Sequence, residues 1–358
     1  MSNSNVSNNI ILTGVERDFI VGHWFHSSQE KPATKKEETF ILHAKQETAK
    51  HNVDNVTRTN AYWNFYKKNP EVHWAFLAHM VSRNGGWNMT DLKGSIVPNF
   101  LPYNETSVYF SFLEKANYLI FHDAYPQLLL YEQSKMENKS LFYLLPMLGV
   151  SSFMEPIWKL FFQQKNSEML TYALIINEQN YIEKRVIQNP FYSEHVLNTI
   201  PFALQERLGF TKVILPFQTD NAVRLAGVTV SRFHHITSRI NVGKQLYNIL
   251  FKNNIVLDGV ILFAENHIHT GSRTDYFPNL FSTSKTIGKV YSPTIPSAWK
   301  VYTHSIPKIE DWFQKDTETL DLFNRLEQKV EYDITDSYLK NLLKLTGFGK
   351  IKEYLEKI

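Results

Sequence analysis

Apolar residues recur along this chain mostly at intervals of three and four, and the elements they predict are helices. From Glu37 to Lys68 a polar stretch carries Phe40, Ile41 and Ala44, then Tyr62, Trp63 and Phe65, and Asn69-Pro70 closes it. That pattern predicts one long or broken helix. Glu71 to Asn84 predicts a second, stopped by Gly85-Gly86. Thr106 to Tyr125 predicts a third, apolar enough for near-complete burial, with Pro126 to break or kink it. Glu155 to Gln164, Glu168 to Glu183, Phe191 to Leu208, Ile236 to Phe251 and Asp336 to Leu345 also read as helices. Gly347 would cap the last of these, ahead of a short amphipathic helix through Ile351, Leu355 and Ile358. Lys212 to Phe217 is a weak strand candidate, because it contains Pro216.

Strands at regular spacing, internal repeats and long linkers are all missing, so the expected fold class is mainly α, a single large helical domain. Residues 37–281 form its core in this reading. Residues 1–36 are a polar, poorly ordered start. Residues 282–358 begin as an irregular excursion containing Pro293, Pro296 and Pro307, and end in short helices packing on the core.

Composition narrows the function classes. Of 358 residues, 43% are hydrophobic and 20% charged, ordinary globular values that exclude a largely disordered chain. The absence of cysteine excludes disulfides, thiolate metal sites and a cysteine nucleophile together. Thirty-eight basic residues against 35 acidic ones give a net charge of +3, which is no nucleic-acid footprint. Met1 to Asn9 carries no cationic and apolar leader pattern, and the longest apolar stretch, Leu141 to Val150, is broken by Pro146 and Gly149. A cytoplasmic protein without a membrane span is expected. Phosphate-binding loops, nucleophile elbows, HExxH and dinucleotide fingerprints do not occur.

Three segments concentrate polar chemistry. In the first, Ala78 to Asp91, His79 and Arg83 lie four apart and share a helix face with Val72 and Phe76. An arginine on that face needs a partner, and Asp91 is a natural one; Arg83 is either an anion clamp or a strut for the Gly-Gly turn. In the second, Phe121 to Pro126, projection at 100° per residue puts Asp123 on the apolar side, while Glu114, Asn117 and Tyr125 lie away from it. Asp123 then needs an arginine or a metal to stay charged, and a pairing with Arg83 would join the two segments. The third, His267 to Pro278, is a loop or helix start. Its His267 and His269 have metal-ligand spacing if they lie on a strand, and Ser272, Arg273 and Asp275 around Gly271 could bind a polar or anionic group. A fourth, Ser231 to His235 with Arg239, reads as an exposed helix start.

The runs Trp74 to Gly94, Leu113 to Glu132 and His269 to Phe281 together resemble the YppC-like family of uncharacterised bacterial proteins, domain of unknown function family 2515. The resemblance spans roughly Glu37 to Phe281. It implies a predominantly helical bacterial protein, and no assigned activity or catalytic residue.

Two functional readings follow. In the first, the three segments converge on a buried pocket: His79, Asp123 and His269 move protons, and Arg83, Asp91, Ser272, Arg273 and Asp275 hold an anionic or polar small molecule. In the second, the same residues are a structural network inside a helical scaffold that binds a partner protein. An opening of about 300 Å³ or more beside the cluster separates them. Whether the protein is an enzyme stays open, and no cofactor or metal is specified. Peripheral membrane contact through an aromatic-rich surface or the C-terminal amphipathic helix is a third, less favoured reading at near-neutral charge.

Overall fold

The computed structural model describes residues 10–26, 32–99, 101, 103–197, 212–230, 232–306, 310–326 and 332–346. The fold is mainly α. Its first helix, α1 (Gly14–Phe25), falls within the segment expected to be poorly ordered. A reciprocal Thr13/Glu16 capping box starts it, and Ile20 and Trp24 bury its inner face. Sparse apolar positions hid it in the sequence.

The predicted helix from Glu37 to Lys68 is two helices, α2 (Lys35–His51) and α3 (Asn55–Lys68). Asp54 restarts the chain: its side chain accepts from Thr57 N at 2.8 Å, and Thr57 Oγ1 accepts from Asp54 N at 3.0 Å. After the turn at Pro70, α4 (His73–Asp91) returns antiparallel to α3, with Tyr66 stacked on Phe76 and Trp63 against His79. Contrary to expectation, α4 runs straight through Gly85-Gly86. Those glycines leave room rather than end a helix. A Cβ on Gly86 would meet Asn55 Oδ1 at 2.3 Å, and one on Gly85 would meet the Asn117 side chain at 3.3 Å.

Pro126 likewise does not end its helix. The 34-residue α5 (Tyr103–Met136) continues past it, and Gln127 Nε2 donates to the Asp123 carbonyl at 3.1 Å beside the gap left by the missing N–H. Helix α6 (Met154–Gln164) leads into α7 (Ser167–Ile182), buried without interruption from Glu168 to Asn177 and packed against α4, α5, α6 and α8 (Ile236–Phe251). That burial on every side is why its sequence shows no polar face.

The strand candidate is real: β1 (Lys212–Gln218) pairs antiparallel with β2 (Val223–Thr229), Pro216 opposite Leu225. Ile214 N donates to Asn84 Oδ1 of α4 at 3.1 Å, and α9 (Asn254–Asn266) packs on β1. From Ser282 to Ile306 the chain is largely irregular, as expected, and Pro307 lies outside the described residues. It holds only a two-residue parallel contact between β3 (Phe281–Ser282) and β4 (Val290–Tyr291) and a short turn at Ile295–Ala298. Helix α10 (Thr335–Thr346) closes against β2, where Leu225 N donates to Thr335 Oγ1 at 2.9 Å. Most of the helix expected over Phe191 to Leu208 lies outside the described residues, as do Ser231, Gly347 and the tail helix. Among the described residues no single helix is long and apolar enough to cross a membrane.

Candidate functional site

Helix α4 sets one wall of the polar region. His79, Arg83, Trp87 and Asp91 recur every four residues, so they follow one side of the helix with a slow drift. Facing them is the loop that leaves α9 at His267, turns at Gly271 with φ +80°, and makes a short helical turn at Arg273–Asp275. Gly271 O accepts from Thr90 Oγ1 at 2.6 Å, which pins the loop to α4.

Asp275 is the hub. Its Oδ2 faces His269 Nδ1 at 3.2 Å and accepts from Trp87 Nε1 and Thr270 N, each at 3.0 Å, while Oδ1 accepts from Thr270 Oγ1 at 2.6 Å. Burial opposes its charge, but the His269 hydrogen bond and these donors hold its pKa below the usual carboxylate value. On the other edge of the ring, His269 Nε2 lies 2.7 Å from Asn55 Oδ1. The Asn55 amide is oriented by Nδ2, which donates to Ser82 O at 2.8 Å and Ser82 Oγ at 3.1 Å. Both imidazole nitrogens therefore face acceptors. Burial pulls the His269 pKa below its ordinary value and Asp275 pulls it up. Loss of the second proton would leave two acceptors in contact.

Arg273 and Asp91 form the adjoining pair. Arg273 Nε lies 2.9 Å from both Asp91 oxygens, Nη2 lies 2.6 Å from Oδ2, and Nη1 reaches the Tyr276 and Tyr338 hydroxyls. Although burial opposes its charge, Asp91 holds the Arg273 pKa well above the ordinary value. Asp91 is thus the partner of Arg273 and not of Arg83. Ser272 is spent on the loop itself, donating to Ser292 O at 2.6 Å and accepting from Thr274 N at 3.2 Å.

Arg83 is 1% exposed, and neither its Nε nor its Nη2 has a hydrogen-bond partner among the described residues. Its guanidinium sits over the Phe263 ring at 4.7 Å and the Trp87 ring at 5.8 Å. Burial draws its pKa down to about 10 against the pull of Asp275. His79 lies 2.9 Å through Nδ1 from Thr59 O, with Nε2 unpartnered among the described residues. Burial and the Arg83 charge push its pKa well below the ordinary histidine value, so it is neutral.

Asp123 does not join this region. Its Oδ2 accepts from Asn177 Nδ2 at 2.5 Å and Gln127 Nε2 at 2.9 Å, and Oδ1 has no partner among the described residues. Burial raises its pKa to about 7, and that of Glu178, whose charge it opposes, to about 8. The expected Arg83–Asp123 pair is absent because Asp123 turns toward α7. The metal reading of His267 and His269 also fails on geometry. His267 Nδ1 turns back to Phe263 O at 3.1 Å, at the end of a helix and not on a strand. Among the described residues no group of three or more His, Cys, Asp or Glu is placed to hold a metal.

An opening lies beside the network on the Asn55 side, somewhat smaller than the ~300 Å³ expected of a ligand site. A cleft of about 270 Å³ runs between the start of α3, the α4–α5 wall and the segment from Ile295 to Tyr302. Asp54, Asn55, Phe110, Glu114, Trp299 and Tyr302 line it. Sequence reasoning missed these residues. It placed Glu114 away from the core, yet Glu114 is 3% exposed, since Arg58 of α3 and His304 meet it at 2.5 and 3.3 Å. Burial opposes its charge, but Arg58 and His304 hold its pKa below the usual value. The Asp-x-x-Thr pattern at Asp54 was a readable helix start; nothing in the sequence tied it to Glu114 or Trp299.

Arg239, in the fourth segment, is buried at 5% and bound to Glu183, Gln179 and the Phe233 carbonyl, so it anchors the start of α8.

A family model described as "Protein of unknown function (DUF2515)" matches residues 50–343. The chain belongs to that family. The DUF2515 match extends past Phe281, through the proline-containing excursion and into α10, so the family's fold takes in Arg273's partner Tyr338 and the cleft wall at Trp299. The chain is 40% identical over 330 residues to the uncharacterised protein YppC of Bacillus subtilis (strain 168), covering 92% of this chain and 99% of that one. No solved structure matches it significantly.

Proposed function

We propose that this DUF2515 protein binds a small organic molecule in the cleft beside Asn55, and that the His269–Asp275 network is the rigid support of that site. One observation carries the reading: Asn55 is at once a wall of the cleft and the hydrogen-bond partner of His269. The amide is locked from behind through Ser82, His269 and Asp275, as preorganised binding groups are. The volume of 270 Å³ corresponds to about nine waters at ~30 Å³ each, room for a small metabolite or one end of a larger one. His79, Arg83, His269 and Ser272, at 2% exposure or less, have no face on the cleft, so their part is support and not proton transfer to the ligand.

The test is a ligand-observed NMR screen of small amines, carboxylic acids and neutral amides against the full chain, repeated with Val53→Trp. Val53 lines the cleft and is 39% exposed, so the larger ring fills the opening without entering the core. Binders that lose their signal with Val53→Trp, at an unchanged melting temperature, support the reading. A second reading, a scaffold that binds a partner protein, is favoured by the near-complete burial of the network. It gains if no probe binds and Val53→Trp behaves as the parent chain.

A further inference from the structure

We propose that the cleft selects a small organic cation, an amine or quaternary ammonium group; this rests on the ligand-binding reading above. The hydrogen-bond capacity of its walls is lopsided. Among the described residues the Tyr302 hydroxyl and the exposed Lys300 ammonium are open donors, but the other side-chain donors are committed: Asn55 Nδ2 donates to Ser82 O and Oγ, Trp299 Nε1 to Met89 O at 2.8 Å, and Arg58, behind the wall, donates through its Nη atoms to Asn52 and Glu114. The acceptors are not. Asp54 uses Oδ1 to cap α3 and leaves Oδ2 without a hydrogen bond among the described residues. Glu114 presents carboxylate oxygens that still have lone pairs after meeting Arg58 and His304. The start of α3 would itself favour an anion, but the Asp54 carboxylate sits on it and offsets that partial charge.

The remaining walls are apolar, with side chains such as Val53, Met89 and Ile295 beside the aromatic Phe110, Trp299 and Tyr302. Phe110 and Trp299 stack with centroids 4.0 Å apart and planes 8° from parallel, and Tyr302 stands edge-on to Phe110 at 6.5 Å. Trp299 is covered by Phe110 and has the Lys93 ammonium 4.6 Å from its ring, so the exposed Tyr302 ring is the aromatic surface that, together with the carboxylates, attracts an organic cation through its quadrupole and through charge. A carboxylate or phosphate ligand would meet the same oxygens as repulsion. Among the described residues Lys300 is the one cation lining the cleft, and it is exposed. The anionic or polar ligand expected from the sequence is thereby narrowed to a cationic one, since Arg83 and Arg273 are not among the residues lining this cleft.

Calorimetric titration of the full chain with charge-matched isosteres decides the matter. The probes are choline and its neutral carbon analogue 3,3-dimethyl-1-butanol, butylamine and 1-butanol, and acetate and pivalate. The expected result is that at least one cation binds about tenfold or more tighter than its neutral isostere. Asp54→Asn, which keeps the capping oxygen, should remove that advantage with little change in melting temperature. If Asp54→Asn does not fold, Tyr302→Leu serves, because Tyr302 is 45% exposed; it should weaken the cation severalfold and spare the neutral isostere. Equal binding of the isosteres, or tighter binding of acetate or pivalate, overturns the cation proposal and leaves the ligand reading standing. Binding by none of the six probes overturns both.

Discussion

A Cβ on Gly86 would stand 2.6 Å from His269 Nε2, so the imidazole rests directly on the backbone of α4. This contact, together with Asn55 Oδ1 at 2.3 Å from the same point, explains a glycine in the interior of a helix that pays no attention to it as a stop signal. Because both neighbours are locked in hydrogen bonds, neither can yield cheaply.

Gly86→Ala should therefore destabilise the protein by about 2 kcal/mol or more, despite the better helix propensity of alanine. Gly22→Ala, in α1 with nothing within 4 Å of the added methyl, should instead gain ~0.5–1 kcal/mol. Urea unfolding of the two variants checks the contrast. Equal effects at both sites would remove the packing explanation.

The two buried arginines of the network should respond in opposite ways to methionine. Arg83→Met deletes a guanidinium with two unpartnered nitrogens and keeps a side chain that can pack on Phe263 and Trp87, so stability should hold or rise by ~1–4 kcal/mol. Arg273→Met strands the Asp91 carboxylate and two tyrosine hydroxyls, and should cost about 3 kcal/mol. Thermal melts of the pair measure this. A large loss from Arg83→Met would show that the guanidinium has a partner essential to the fold.

Asp123 makes stability depend on pH. Its folded pKa of about 7 lies above the unfolded value of ~3.9, so the folded state holds the extra proton between those limits. Stability from this group consequently falls as pH rises from about 4 to 7, and the deficit is complete above 7. Asp123→Asn keeps an oxygen for the Gln127 and Asn177 donors without the charge. It should stabilise more at pH 8 than at pH 4.5, by on the order of 2 kcal/mol. The same gain at both pH values in urea titrations counts against a raised pKa.

Glu114 and Arg58 are 4% and 1% exposed in their side chains, and removing one charge leaves the other buried. Glu114→Gln should cost about 3 kcal/mol, and adding Arg58→Met to it should recover part of the loss. A double variant as unstable as the sum of the single ones would argue against direct coupling.

The local rules were legible where burial follows a simple period. The bounds of α6, α7 and α8 and the strand at Lys212 stand close to where spacing and turn residues put them. The stop misread at Gly85-Gly86 has a physical cause, since a glycine needed for close approach looks, in sequence, like a terminator; at Pro126, where a break or a kink was expected, the helix continues. Glu114 was misplaced for a related reason, since a helical projection measures apolar company on its own helix and is blind to Arg58 and His304 arriving from elsewhere.

The sequence by itself determined a mainly helical protein without thiol chemistry, the family it resembles, and which polar segments had to be reconciled with a core. Tertiary structure decided the partners. His79, Arg83, His269 and Asp275 share one region, Arg273 holds Asp91, and Asp123 turns to Asn177 instead. It also decided where the opening lies, between Asp54, Glu114 and Trp299, residues up to 245 positions apart. The physical reason is range: capping and helical periodicity act over a few residues, whereas a buried charge is matched only by the side chain that packing brings within about 3 Å.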